Sequence, residues 1–441
     1  VIDQARLEHA LAAACTRYGV PGAVVGLLDA GHKPLLVSYG VASRETGCVT
    51  RSDTRFQIGS ISKIFTTTLA LQLVERGQLA LDEPITTYMP ELRLSDADAQ
   101  QVLTLRHLLT HTSGILGDYF ADFGIGDDAL ARYVDSLHTL PQLYPPGTTW
   151  SYCNSGFSLA GRLIEVVTGQ SFESVMRERI FEPLQLTEST FFAHEAIAYP
   201  VAVGHSLDGN VVRRYALPRS VNPAGGIIGT VRDLLRFAAF HLGLTPNDDV
   251  LSSTMVQHMQ EQQTVAGGWA EHYGLGWALW TVDGERLVGH GGSTSGFEAH
   301  LVLVPTRRCA WAILTNHVLG STMYREFERW LLAEWLGLQD CAPALITMSE
   351  AELARFAGTY HYPLARVTVT PTAGSLRLNV TAIDWLSHEE RPQPPFHAVP
   401  IGPHTFLIMN SYARGLRIEF DAEQTPPAWV RLSGRVAQRV A

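Results

Sequence analysis

The chain has 441 residues, 46% of them hydrophobic and 17% charged, with a formal net charge of −10. That balance gives a globular protein with ample core and about two or three domains. An acidic chain without a basic run disfavours nucleic-acid partners and anionic membrane surfaces, and no apolar stretch reaches the roughly 20 residues that cross a bilayer.

From the N-terminus, an amphipathic helix is expected over about residues 2–17, then strands near 22–29 and 34–41. Residues Ile61 to Val74 are largely apolar, lack glycine and proline, and run out at Gly77, the pattern of a buried helix with a glycine terminator. Ser60 and Lys63 stand at its start. Residues three apart share a helix face, so the Lys63 amine falls beside the Ser60 hydroxyl, and the free N–H groups of a first helical turn favour negative charge there. Lys63 is one of only two lysines among the 33 lysines and arginines. Arginine keeps its proton whereas a desolvated lysine can release it, so this choice points to proton transfer and makes Ser60 a candidate nucleophile.

From about 82 to 265 the pattern is one of helices and long loops, expected to form a helical lobe. Within it, the turn Tyr144-Pro145-Pro146-Gly147 leads into Tyr152-Cys153-Asn154. In an extended segment residues two apart point the same way, so Tyr152 and Asn154 can face one cavity. Strands are expected to return after about 284. Gly289-His290-Gly291-Gly292-Ser293-Thr294-Ser295-Gly296 precedes two strand-like runs, Ala299 to Val304 and Ala310 to Leu314, separated by the turn Pro305 to Arg308. The glycines there let a substrate backbone lie close along an edge strand. An apolar helix is expected over about 321–336, and the character changes near Gly337 to Ala344. Beyond it, Val367-Thr368-Val369, Leu376 to Val380 and Leu416 to Phe420 alternate apolar and polar between Gly and Pro turns. Residues 345–441 therefore read as a small β domain after a catalytic domain over 1–340.

The three segments Ser60-x-x-Lys63, Tyr152-x-Asn154 and His290-Gly291-Gly292, in this order, resemble the serine β-lactamase and penicillin-binding-protein superfamily in its class C-like branch. Val20-Pro21-Gly22-Ala23, Leu105 to Gly114, Phe181-Glu182-Pro183-Leu184, Pro223-Ala224-Gly225-Gly226 and Tyr273 to Trp277 look like further landmarks, so the likeness spans about residues 15–335. Phe356-Ala357-Gly358-Thr359-Tyr360 resembles the opening of the lipocalin-like barrel appended to some members. The resemblance implies an α/β (α+β) three-layer fold in which helices cover a central antiparallel sheet, the site lies between sheet and helical lobe, and a C-terminal antiparallel β-barrel follows.

It also implies roles. Ser60 is the acylated nucleophile; Lys63 and Tyr152 form a proton relay, with the lysine cation drawing the phenol down from its ordinary pKa of about 10. Asn154 holds the substrate side chain and the lysine. The backbone N–H groups of Ser60 and Ser293 make an oxyanion hole, with Gly291 and Gly292 on the same substrate-binding strand, each donor contributing about 2.7–4 kcal/mol. His290 stands where class C β-lactamases carry a lysine. A histidine is mostly neutral near pH 7 and holds a β-lactam carboxylate less well than a permanent cation. The expected activity is therefore hydrolysis of esters, amides or peptides through an acyl-enzyme, D-residue-directed in some family members, with weak penicillinase activity at best. The alternatives are a thioesterase that passes the acyl group to an amine, as in peptide cyclisation, and a catalytically silent binding protein on the same fold.

Other features read as structural. His107 and His111 have the i, i+4 spacing of zinc ligands but lack the following glutamate and a third ligand; neither metal nor cofactor is expected. Gly156-Phe157-Ser158-Leu159-Ala160 approaches a nucleophile elbow but reads as a helix start, so Ser158 is structural. The 289–296 glycine run lacks the Lys-Ser/Thr ending of a phosphate loop. Ser62 is a packing or hydrogen-bonding residue. The five cysteines, Cys15, Cys48, Cys153, Cys309 and Cys341, are scattered without a Cys-x-x-Cys pair and require neither disulfide nor zinc; Cys153 is read as a packing residue, with a reagent-sensitive thiol as the sharper alternative. The C-terminal domain either shields one side of the catalytic unit or walls the substrate cleft. The start at Val1 rather than methionine is expected to reflect trimming upstream; compartment, oligomeric state and exact substrate stay open.

Overall fold

The computed structural model describes residues 2–31, 33–384, 387–410 and 413–440. The strands of its first part are β1 (Gly22–Asp29), β2 (Leu35–Gly40), β3 (Phe56–Gln57), β4 (Ile228–Gly229), β5 (Thr264–Val265), β6 (His272–Tyr273), β7 (Ala278–Val282), β8 (Glu285–Thr294), β9 (Phe297–Val304) and β10 (Cys309–Thr315). Eight of them form one antiparallel sheet in the order β2-β1-β10-β9-β8-β7-β6-β5, and β3 pairs with β4 separately. Side chains alternate across a strand, and here both faces are buried, so the central strands read as nearly continuous apolar runs. On β1, Ala23, Val25 and Leu27 enter one core while Val24 and Leu28 enter the other; on β10, Cys309, Trp311 and Ile313 are divided in the same way from Ala310, Ala312 and Leu314.

Two helices cover the outer face. Gln4–Tyr18 begins at Asp3, whose carboxylate accepts from the Ala5 N–H, and ends at Gly19 in the left-handed region; it buries Leu7, Leu11, Ala14 and Cys15 at helical spacing. Beside it, Gly320–Leu331 buries Met323, Tyr324, Phe327 and Leu331. On the inner face lies Val231–His241, whose Val231 and Leu235 come so close to β1 that Gly26 has no room for a Cβ. Beyond it is Ser62–Glu75, buried on every side from Ser62 to Leu73, as expected of a helix apolar all round.

Most expected elements appear within one or two residues of their anticipated bounds, with two differences. Ser60 lies in a single 3-10 turn, Gly59–Ile61, just ahead of the helix proper. Strands also return earlier than residue 284, at β5 to β7. Each of β5 and β6 is two residues long, too short for an alternation to show.

The C-terminal part is a closed barrel. Its strands β11 (Gly358–Tyr362), β12 (Ala365–Thr372), β13 (Ser375–Ile383), β14 (Glu390–Pro392), β15 (Phe396–Pro400), β16 (Thr405–Ile408), β17 (Arg417–Phe420), β18 (Trp429–Leu432) and β19 (Arg435–Arg439) run β12-β11-β19-β18-β17-β16-β15-β13, with β13 pairing back to β12 and β14 added to β13. Closure removes the exposed edges of an open sheet. Phe356, Phe406 and Phe420 meet edge to face or tilted inside it, with centroid separations of 4.8 to 5.6 Å. The β18–β19 hairpin docks on the catalytic part: the Tyr152 N–H donates to the Gly434 carbonyl at 2.8 Å and Tyr144 Oη to the Val436 carbonyl at 2.9 Å.

Candidate active site

Ser60, Lys63, Tyr152 and Asn154 meet where the Ser62–Glu75 helix, the start of the Asn154–Thr168 helix and β8 converge. The approach depends on two glycines. Gly59 has φ 53°, and a Cβ there would lie 2.7 Å from the Ser293 nitrogen; a Cβ on Gly292 would lie 1.9 Å from the Ile58 carbonyl oxygen and 3.2 Å from the Ser60 nitrogen. The Ser60 turn and β8 are thus pressed together, backbone on backbone, at the Ser60 and Ser293 nitrogens. Gly292→Ala is expected to lower kcat by about 100-fold or more, the order seen when an oxyanion donor is lost, because the obstructing atom is backbone. Steady-state kinetics on the folded variant checks this.

Lys63 is fully buried. Its Nζ lies 3.0 Å from Ser60 Oγ and donates to the Ala224 carbonyl at 2.6 Å. Burial, reinforced by the positive charge of Arg435, holds the amine well below the ordinary lysine value. Tyr152 moves the other way. Burial raises its phenol, while a hydrogen bond with Ser60 and the charge of Arg435 pull it partly back. Burial therefore disfavours the charged form of both groups, against the expectation of a lysine cation that draws the phenol down: removing either charge from water is penalised.

Asn154 is also corrected in part. Its amide donates to Asp118 Oδ1 at 2.8 Å, while the Lys63 amine is occupied by Ser60 and the Ala224 carbonyl. Asp118 in turn pairs with Arg435 of the barrel, whose Nε and Nη2 lie 2.9 and 2.8 Å from the two carboxylate oxygens. The Arg435 guanidinium stands 4.6 Å from the centre of the Tyr152 ring, in cation–π range. The barrel therefore contributes a charged group directly to the site. Neither Asp118 nor Arg435 was anticipated, and an arginine in an arginine-rich chain carries no local signal.

His290 is buried and neutral. Burial above all pushes its pKa down to about 3. A polarised chain of hydrogen bonds accounts for both ring nitrogens. The Cys153 N–H donates to His111 Nδ1 at 3.0 Å, His111 Nε2 lies 3.1 Å from Tyr273 Oη, Tyr273 Oη lies 3.0 Å from His290 Nε2, and His290 Nδ1 lies 2.5 Å from the Gly291 carbonyl. The donor at Cys153 leaves His111 Nε2 to donate to Tyr273 Oη and the acceptor at Gly291 leaves His290 Nε2 to accept, while the one Tyr273 proton is shared between His290 Nε2 and the Gly276 carbonyl at 3.3 Å. His290 thus offers no cation to a substrate; it braces the strand and, through Tyr273 and His111, the wall behind Tyr152, whose ring centre is 4.2 Å from that of His111.

The remaining candidates are structural in this geometry. His107 closes a capping box with Thr104, apart from His111 in role. Ser62 Oγ accepts from the Ile227 N–H at 3.1 Å. Ser158 lies within the Asn154–Thr168 helix, and the Cys153 thiol, buried and raised by that burial, caps the same helix by accepting from the Gly156 N–H at 3.2 Å. Cys153 presents no reactive thiolate.

A groove of about 1590 Å³ runs from Ser60 round to the outer helices at Tyr18 and Leu332; its lining includes Asn154, Trp269, His290, Leu364, Met409 and Arg435, so the barrel forms part of its wall. The Beta-lactamase family model matches residues 5–334. Penicillin-binding protein 4 of Amycolatopsis lactamdurans is 38% identical over 351 residues, 76% of this chain and 91% of its own. Among solved structures, that of SurE with D-Leu gives a TM-score of 0.78 at 25% identity over 99% of each chain. D-alanine carboxypeptidase AmpC from Burkholderia cenocepacia gives 0.60 at 26% identity over 71% of this chain and 95% of its own. The chain belongs to the beta-lactamase family, whose members are generally serine hydrolases, and carries a C-terminal barrel beyond the matched region.

Proposed function

We propose that the protein is an acyl-transferring serine enzyme that forms an acyl-enzyme on Ser60 from peptide-like esters or amides, with weak penicillinase activity at best. The observation that carries this reading is the buried, low-pKa Lys63 amine 3.0 Å from Ser60 Oγ. The free amine takes the Ser60 proton as Oγ attacks the acyl carbonyl, and the Ser60 and Ser293 N–H groups receive the oxyanion. The proton passes by way of Tyr152 to the leaving group as the tetrahedral intermediate collapses. Water, or an amine, then attacks the ester on Ser60, and the relay runs in reverse to restore Oγ–H. Arg435 favours the transient phenolate on Tyr152, while its own charge is balanced by Asp118. With His290 neutral and both its nitrogens occupied, β8 has no counterpart of the lysine that grips a β-lactam carboxylate.

A second reading, transfer of the acyl group to an amine, is favoured by the cleft. The groove continues from Ser60 past the barrel residues Leu364 and Met409, an extended shape that suits a peptide or two reactants. The likeness over both parts of the chain to a protein solved with D-Leu supports a peptide-like donor carrying a D-residue at the acyl position. The test is a comparison of a nitrophenyl ester, penicillin G and a peptidyl thioester with a D-residue at the acyl carbon, each with and without an added amine. The expected result is fast turnover of the thioester or ester and a slowly clearing penicillin adduct; amide product in place of acid would select the second reading. Penicillin turnover as fast as that of the peptidyl donor would overturn the proposal.

A further inference from the structure

The face of β8 turned away from Ser60 carries a carboxyl group of its own. Val288 and Leu287 enter opposite cores, so by alternation His290 and Gly292 face the nucleophile and Gly291 and Ser293 face the outer helices. Directly across the ladder from Ser293 is Glu298 of β9, and Ser293 Oγ donates to Glu298 Oε1 at 2.7 Å.

This part of β8 needs a lateral tie. β7 pairs with β8 only over Glu285 to Gly289, so β9 is the only strand paired with His290 to Thr294. Two glycines, Gly291 and Gly292, precede Ser293, and the hairpin turn follows at Ser295 and Gly296, with Gly296 at φ 83°. This segment, paired on one side only, carries the N–H on which the oxyanion depends, and the Ser293–Glu298 bond is a side-chain anchor for it.

The surroundings of Glu298 bear on its charge. Facing it are Ser293 from β8 and Tyr324 and Arg325 from the Gly320–Leu331 helix; on β10, Thr315 Oγ1 donates to its main-chain carbonyl at 2.9 Å. Burial pushes the carboxyl up to about 8, against the lowering effects of the Ser293 bond and of Arg325. Arg325 leaves a buried Nη2 without a hydrogen-bond partner among the described residues.

We propose that Glu298 is a positioning residue for acyl transfer: as the neutral acid it anchors the Ser293 hydroxyl, and with it the neighbouring oxyanion-binding N–H, whereas as the carboxylate it opposes the negative charge forming at that site. The inference rests on the reading of Ser60 as nucleophile and Ser293 as oxyanion donor. Below pH 8 the carboxyl is mostly protonated and the oxyanion meets no like charge. Above it the carboxylate repels the oxyanion, and the rate falls by about tenfold, the order expected of like charges roughly 12 Å apart at an effective dielectric near 20.

The test is kcat/KM from pH 6 to 10 for wild type, Glu298→Gln and Glu298→Ala on the donor that yields a Ser60 adduct, with melting curves to confirm folding. Wild type is expected to step down about tenfold with a midpoint near pH 8. Glu298→Gln keeps a carbonyl for Ser293 but cannot ionise, so that step disappears. Glu298→Ala removes the anchor and lowers kcat about tenfold at pH 7, with KM changed by less than about threefold. A Glu298→Gln profile that keeps the wild-type alkaline step, or a Glu298→Ala kcat equal to wild type, overturns the proposal. Failure of wild type to form any Ser60 adduct overturns the nucleophile assignment instead, so the two failures are distinct.

Discussion

Lys63→Met is expected to slow acylation of Ser60 by about 10³-fold or more while leaving the protein folded. Methionine matches the lysine stem in length and suits a fully buried position, so packing is retained and the proton acceptor alone is lost. Lys63→Arg separates the two things a lysine could supply. Arginine keeps a positive charge and hydrogen-bond donors near Ser60 but cannot accept a proton, and it too is expected to be inactive. If charge were what Lys63 contributes, the arginine variant would retain most of the activity. The pH dependence follows from the direction of the shift: a lysine held well below its ordinary value releases its proton at lower pH than a free lysine does. Acylation then persists to that lower pH and fails only as acid protonates Lys63. Single-turnover acylation rates across pH check both statements.

The second large effect is expected at Arg435. Arg435→Met removes a two-bond contact with Asp118 and leaves that carboxylate, 20% exposed, without its counter-charge beside Tyr152 and Asn154. Truncating one partner of such a pair costs about 2–5 kcal/mol, so the barrel should loosen from the catalytic part. Because the Arg435 charge also favours ionisation of Tyr152, kcat should fall by about 10–100-fold. The double variant Asp118→Asn/Arg435→Met separates the two consequences. With both charges gone most of the stability should return, while the rate should stay low because nothing then favours the phenolate. Denaturation midpoints and kcat for the three variants test this. A barrel that merely shields the catalytic part would show the stability loss without the rate loss.

These two residues also mark what the sequence does and does not disclose. Ser60-x-x-Lys63 is local: three residues on one helical path give the 3.0 Å contact from spacing alone. Tyr152-x-Asn154 and the His290 strand are local in the same sense, and helices and long strands are legible because one or both faces follow an apolar period. What no local pattern shows is the surroundings. Arg435 and Asp118 are 317 positions apart, and only closure and docking of the barrel bring them together. The opposite shifts of Lys63 and Tyr152 have the same origin, since burial on every side is a property of the assembled site. The His111–Tyr273–His290 chain joins three separate segments, two of them visible only as sequence landmarks, and the left-handed backbone of His111, at φ 59°, has no signature in its residue type. The short strands β5 to β7 escape notice because pairing, not propensity, makes them strands.

The central claim, that a neutral Lys63 amine activates Ser60, can be read out directly because the chain has only two lysines, Lys33 and Lys63. Labelling with [ε-13C]lysine gives two Cε signals; the one absent from Lys63→Met belongs to Lys63, and exposed Lys33 serves as the internal reference. Titration of the Lys63 signal far below the ordinary lysine value of about 10.4 is the predicted result. A Lys63 signal that stays in the ammonium position up to that value would mean a charged lysine at neutral pH, and the proton acceptor would then have to be Tyr152.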